Sequence, residues 1–505
     1  LTRRAPSELE PVAGGATARL GGTRVEVPDA VAEALAADGV EVVRDPAVLA
    51  AMGRDWWPLS IGWAARGRVP ALPAAVARPR DTAQVASVLR RCHESRVPVT
   101  ASAGGSGVCG GSVPVFGGLS LDLTGISGLL DLDESSLLAD VAAGTFGPDL
   151  EAALGASGSG YTLGHWPQSM DISTVGGWIA CRGAGQYSTR YGKIEDLVVG
   201  LEVVLADGTV VHTDGAAPRA AAGPNLTQLF LGSEGTLGVI TSARLRVTPR
   251  PDAQARRALS FPDFTDGLDA CRRVLRRGGT PAVLRLYDET ESRRNFDHEA
   301  CVMVILDEAD PVVVDATMQI CDAECGSATR LDDSLVERWL HERNDTSALG
   351  PLWKSNIVVD TIEVAGRWSV LPALADEVVA TLKGIEGTLA ASVHESHAYP
   401  DGACLYFTFG GRRPSRGDGD DNAELSWQES YYRRAWDAAT AIVLAHGAAV
   451  SHHHGIGLNR GRFLPDALGP SFGVLRTLKD ALDPEGILNP GKLGLPSPFG
   501  PPPWP

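Results

Sequence analysis

Lysine is nearly absent from this chain: five residues in 505 (Lys193, Lys354, Lys383, Lys479 and Lys492) leave the positive charge almost wholly to arginine. Such usage fits either a GC-rich coding bias or the handling of carboxylates and phosphates. Positive charge is also outnumbered, 45 basic against 62 acidic residues for a formal charge of −17, which argues against nucleic acid and anionic membrane surfaces as partners. No apolar run approaches the roughly 18 residues of a membrane-spanning helix. There is no signal-peptide pattern, and the terminal Pro-Pro-Pro-Trp-Pro is not a peroxisomal address. Eight cysteines are scattered without metal-type pairing. Cys321 and Cys325 would share a helix face but lack a second pair, so reduced thiols in a cytoplasmic protein are expected rather than a zinc site. The composition is otherwise that of a globular protein, 44% apolar and 21% charged, on a chain long enough for two or three domains.

Glycine, by contrast, is concentrated. A short apolar strand after Pro98 breaks into a loop carrying Gly104, Gly105, Gly107, Gly110 and Gly111. Glycines let the backbone turn through positive φ and let successive N–H groups converge on an anion. The loop has no Walker Lys-Ser/Thr, and its spacing is not G-x-G-x-x-G between a strand and a helix. Alone it reads as an anion cradle or as a tight structural loop. Two later glycine-bearing stretches, Ser173 to Ile179 and Gly232 to Ile240, favour the cradle.

The elements around these stretches mix hairpins and helices. Asp81-Thr82 caps a helix with Val85, Val88, Leu89 and Cys92 on one face, and strands are expected at Leu119–Leu123 and Leu137–Val141. Leu197–Leu205 and Thr209–Thr213 form a hairpin about Asp207-Gly208, Asn225 caps a short helix, and Leu237–Val247 is a strand. After a break at Pro249-Arg250-Pro251-Asp252, strands and helices alternate. Strands fall at Leu284–Leu286, Cys301–Leu306, Ile357–Ile362 and Cys404–Phe409, and helices at Thr265–Arg276, Pro311–Cys321 and Ser369–Leu382. A polar loop at Arg412–Asp421 precedes a long helix from Trp427. The expected class is α+β, not a doubly wound parallel sheet. Domains are expected at 1–70 (a partly helical extension held by Trp56 and Trp57 on the main domain), 71–251, 252–425 and 426–505.

The order of motifs resembles the vanillyl-alcohol oxidase (p-cresol methylhydroxylase) type of FAD-binding domain, and within it the alkylglycerone-phosphate synthase branch of FAD-linked oxidases. The residues carrying this resemblance are Gly164-His165-Trp166-Pro167-Gln168-Ser169, Ser173-Thr174-Val175-Gly176-Gly177-Trp178, Gly192-Lys193-Ile194-Glu195-Asp196 and Ser451-His452-His453-His454-Gly455. It implies FAD, with an antiparallel α+β cap domain over the flavin. The cofactor-binding positions it implies are Ala103, Gly104, Gly105, Ser106, Gly107, Val108, Cys109, Pro167, Gln168, Ser169, Ser173, Thr174, Gly176, Gly177, Ile194, Glu234, Gly235, Gly238 and Ile240. Relatives with covalent flavin have a histidine where this chain has Ser106, so the FAD is expected to be non-covalent.

Histidine suits acid–base work near neutral pH. On extended backbone, however, His452 and His454 face one side and His453 the other, and all three converge only if the chain kinks. Metal-using 2-hydroxyacid dehydrogenases of this fold carry His-x-x-Gly-Asp-Gly-Asn-x-His and a later Glu-His-Gly. Here Tyr406 stands near the second histidine and His453 at the acidic ligand, so no metal site is expected. The resemblance implies Tyr406, His452, His453 and His454 as active-site groups. Arg285, a charge inside an apolar strand, is expected to bind substrate or flavin. The branch's phosphate-side arginine has no counterpart at 349–355, and Arg343 and Lys354 are the nearest cations, Arg343 being taken as the substrate-binding one. The expected activity is exchange of an oxygen substituent next to a carbonyl through a flavin N5 adduct, with no net redox. The alternative is an FAD oxidase or dehydrogenase of a small hydroxy compound such as a 2-hydroxy acid. The substrate would be a small molecule with a phosphate or carboxylate and an acyl chain, and the protein a homodimer.

Overall fold

Asp81 accepts the Gln84 N–H at 2.8 Å and starts the helix Thr82–Ser95, whose Val85, Val88, Leu89 and Cys92 are fully buried. That helix delivers the chain into the strand Val99–Ser102, from which the glycine loop departs. The computed structural model describes residues 15–20, 23–158, 160–213, 219–345, 349–414 and 421–501. Most of the polar loop expected at 412–421 lies outside the described residues.

Two sheets build the glycine-rich half. A four-stranded sheet runs in the order Glu41–Val43, Ala75–Arg78, Leu119–Asp122, Val99–Ser102, with its last three strands parallel. An antiparallel five-stranded sheet runs Leu129–Asp133, Leu138–Ala142, Val239–Arg246, Val198–Val204, Val210–His212. The Asp-Gly hairpin and the Asn225 cap both form, Asn225 accepting the Gln228 N–H.

The other half is an antiparallel seven-stranded sheet, ordered Thr329–Arg330, Ala253–Phe261, Cys301–Ala309, Val283–Tyr287, Thr388–Tyr399, Gly402–Gly411, Val358–Arg367. The helices Phe264–Arg276, Pro311–Glu324, Leu371–Gly384 and Asp421–Ala445 bury apolar faces in the core beside it. The α+β expectation holds. The tail then returns to the first half, where Val99 donates to Ile487 O and accepts from Asn489 N, both at 2.8 Å.

Trp57 lies against the glycine loop at Gly110, and the N-terminal tryptophans also reach the C-terminal part of the chain. Trp57 Nε1 donates to Tyr432 Oη (3.1 Å) and Trp63 Nε1 to Glu429 Oε1 (2.9 Å), both on the helix Asp421–Ala445. An indole buries a large apolar body only where its N–H finds an acceptor, and this long helix supplies two. Among the described residues no helix is long and apolar enough to cross a membrane.

Candidate active site

Register brings the site together on one face of the seven-stranded sheet. Glu363 pairs with Tyr406, Tyr406 with His394, and His394 with Tyr287, so these four form one row across adjacent strands. Arg285, two residues before Tyr287, shares that face. A register shift between Glu395 and His397 inserts one extra residue, so that His397 pairs with Cys404 and joins His394 on the same side.

The histidine run is not a strand. It bends so that the N–H groups of His452, His453 and His454 all point to the Glu363 carboxylate, at 2.5, 3.4 and 2.9 Å. Successive N–H groups closing on one anion form a nest, and here the anion is a side chain of the protein itself. Ser451 Oγ (2.7 Å) and Arg460 Nη1 (2.9 Å) also donate to it. The kink that extended geometry demanded is present, and two of the rings, His453 and His454, meet Tyr406, while His452 lies against His453 and His397. The Tyr406 hydroxyl lies 2.6 Å from His453 Nε2 and 3.2 Å from His454 Nε2, while His452 Nδ1 lies 2.9 Å from His453 Nδ1. Behind Tyr406 the His394 ring is stacked nearly parallel at 4.8 Å, and His397 Nδ1 meets Ser188 Oγ at 2.8 Å.

Burial dominates the electrostatics. It holds His454 at about 4 and His452 at about 3, and it drives His453 and His397 well below the usual imidazole range, the neighbouring imidazoles adding to the effect. Tyr406 is pushed well above the usual phenol range, also by burial. Burial alone would raise Glu363, but Arg460, the imidazoles and the backbone N–H bonds outweigh it and hold the carboxyl at about 2. At neutral pH the site therefore presents neutral imidazoles and a neutral phenol above one fixed carboxylate. Ligand atoms of Glu363, Cys404, His452 and His453 lie within 4.8 Å of one another. The Glu363 oxygens are already engaged by five donors, and burial keeps the Cys404 thiol protonated, so this group is a poor metal cage.

Arg285 and Arg343 reach the same indole, their guanidinium carbons 5.5 and 5.6 Å from the Trp339 ring centroid. Arg285 Nε and Arg343 Nη1 are buried without hydrogen-bond partners, as donors facing an anionic ligand would be.

At the glycine loop, Gly105 and Gly110 take φ of +69° and +75°, and a Cβ on Gly104 would stand 2.0 Å from Ile172 O. Buried polar atoms without partners lie beside this loop: Ser102 Oγ, Asp55 Oδ2 near Gly107, and Oδ1 of Asn489, whose amide donates to Gly111 O. Such a loop, with unmatched donors and acceptors beside it, fits a polar dinucleotide. The sequence matches the family models for an FAD binding domain over residues 73–214 and for the C-terminal domain of FAD-linked oxidases over residues 250–493. It is 30% identical to the FAD-linked oxidoreductase YgcU of Escherichia coli (strain K12), across 84% of this chain and 89% of that one.

This chain is an FAD-linked oxidase family member.

Other family members are similar to it as well. The alkyldihydroxyacetonephosphate synthase of Dictyostelium discoideum is 29% identical over 85% of this chain and 74% of its own, and the glycolate oxidase subunit GlcD of Bacillus subtilis 28% over 84% and 89%. A solved alkyldihydroxyacetonephosphate synthase aligns with a TM-score of 0.74 at 25% identity, covering 97% of this chain and 90% of that one. p-Cresol methylhydroxylase shares the fold, with a TM-score of 0.71 at 17% identity over 94% and 99%.

Within this FAD-linked oxidase, Ala103 to Cys109 directly follow the strand Val99–Ser102, with Gly107 exposed. Gln168 and Gly177 are exposed, and Pro167, Ser169 and Gly176 lie near them in sequence. Other expected cofactor positions have structural work. Thr174 is a helix N-cap, its Oγ1 accepting the Gly177 N–H at 3.4 Å, and Ser173 Oγ accepts the Trp178 indole N–H. Gly176 and Gly238 permit close packing, because a Cβ would meet Ala143 and Val203 at 2.8 and 2.5 Å. Ile194 and Ile240 are buried in the apolar core, and Gly235 takes φ of +72°. Glu234 turns its carboxylate to the Ile456 and Gly457 N–H groups (2.5 and 2.8 Å), steadying the segment after the histidines. Sequence reasoning missed Glu363, Arg460, His394 and Trp339 as members of the site.

Proposed function

We propose that this FAD-dependent enzyme exchanges one oxygen substituent next to a carbonyl for another without net electron transfer, with its FAD held non-covalently. The observation carrying this reading is the Tyr406–His453–His454 cluster. Exchange needs a base for the proton beside the carbonyl and an acid for the departing oxygen, and a phenol bonded between two neutral imidazoles offers both at one place. FAD, when bound, supplies an electron sink for the substrate carbon. Glu363 and Arg460 fix the histidine backbone, His394 orients the phenol, and Arg285 and Arg343 bind a carboxylate or phosphate on the substrate. Similarity to alkyldihydroxyacetonephosphate synthases supports the same reading. The arginine pair also suits oxidation of a 2-hydroxy acid, the second reading, supported by similarity to GlcD. Anaerobic turnover, treated in the Discussion, separates the two.

Ser106, in place of a linking histidine, supports release of FAD from denatured protein. Acid precipitation should leave a yellow supernatant and a colourless pellet; colour retained in the pellet would show a covalent link.

Because the Glu363 oxygens are occupied by protein donors, activity should survive dialysis against a strong chelator. Activity lost on dialysis and restored by zinc or manganese would bring the dehydrogenase reading forward.

A further inference from the structure

Two charged side chains lie buried beneath the glycine loop and take no part in the chemistry above. Lys492, in the returning tail, is completely buried. Its Nζ donates to Val113 O at 2.7 Å, and among the described residues no carboxylate forms an ion pair with it. Asp55 precedes the helix Pro58–Ala64 and is 6% exposed. Its Oδ1 accepts the Trp57 N–H at 3.1 Å. Its Oδ2 has no partner in hydrogen-bond geometry, although the Ser112 N–H is near enough to favour the carboxylate, and it lies 3.4 Å from where a Cβ on Gly107 would stand. The N-terminal extension and the C-terminal tail thus bring one acid and one base to the two ends of the same loop. Burying either charge without a salt-bridge partner is expensive.

We propose that Asp55 and Lys492 are the side-chain component of the cofactor-phosphate site: protonated Lys492 gives the glycine loop the positive charge it lacks, and Asp55, once ionised, sets a negative charge against the phosphates. The inference rests on FAD pyrophosphate lying at this loop and is independent of which reaction the enzyme runs. The other charged group facing the pair is Glu234, held by the Ile456 and Gly457 N–H groups; Arg54 is the chain neighbour of Asp55. Burial raises Asp55 to about 7 against the pull of the Trp57 N–H and Lys492, and burial lowers Lys492 to about 7 against Asp55 and Glu234. Below neutrality the pair carries a net positive charge, with a neutral acid and an ammonium. Above it the pair is net negative, with a carboxylate and a neutral amine. Binding of a dianion is therefore strongest at low pH and weakens as pH rises through about 7, by up to about tenfold per pH unit for each proton taken up.

The test measures the FAD dissociation constant from flavin fluorescence released on serial dilution of holoenzyme between pH 6 and 9. Wild type should loosen with rising pH. Asp55→Asn should hold FAD more tightly than wild type at pH 8 with a shallower slope, Lys492→Met more loosely at pH 6, and the double variant should be nearly flat. A double variant that keeps the wild-type slope, or an Asp55→Asn variant that loosens FAD at pH 8, overturns the proposal. If Lys492→Met fails to fold, Asp55→Asn alone decides, because damage to the fold cannot tighten binding.

Discussion

Tyr406→Phe and His453→Ala are each expected to retain FAD and lose turnover by about 10²-fold or more, the scale for removing a positioned acid or base. Both substitutions leave the scaffold in place. Phenylalanine keeps the ring stacked on His394 and removes only the hydroxyl bonded to His453 and His454. Alanine at 453 keeps its N–H for Glu363, so the nest and the flanking His452 and His454 remain anchored. The decisive comparison is the flavin absorbance spectrum of each purified variant beside its rate. Loss of rate with an intact spectrum assigns the groups to chemistry. Unchanged rates in both variants would return Tyr406 to an ordinary strand aromatic and the histidines to packing.

Much of this site could be read from the chain, and what could not shares a physical cause. Arg285 stands out as a charge in an apolar strand, and the structure leaves its Nε unpartnered beside Trp339. Glu363 sits in the same kind of strand, Val358 to Val364, and the same rule applied there would have found it. His397 was harder. Its orientation depends on one residue of slippage near Ser396, and the local alternation of side chains does not record a bulge. The histidine run shows how far alternation misleads. Period-two geometry splits the three rings, whereas convergence arises because a distant carboxylate collects three N–H groups, and no local pattern encodes that partner. Trp339 bridges the two arginines only once a helix has docked against a sheet, so Arg343 was found as a nearby cation while its indole partner was not. The fold elements, by contrast, follow local signals. Asp81, Asn225 and the Asp207-Gly208 turn each act where the chain carries them.

The central claim is that electrons visit the cofactor and do not leave. On the proposed exchange, the acid–base cluster would return what it takes: a neutral imidazole would accept the proton beside the carbonyl, and the Tyr406–His453 pair would hand one to the departing oxygen. Oxidation of a hydroxy acid needs the base alone, and it leaves each equivalent of substrate's electron pair in the enzyme until an acceptor removes it. The measurement is turnover in rigorously anaerobic buffer with no acceptor added. The substrates to offer carry an oxygen substituent next to a carbonyl and a phosphate or carboxylate for Arg285 and Arg343, together with an isotopically labelled oxygen nucleophile. Multiple turnovers that place the label in the product, with the flavin absorbance restored after each, are the predicted result. Stoichiometric bleaching that recovers only on admitting oxygen or a dye would contradict the account and make the enzyme an oxidoreductase.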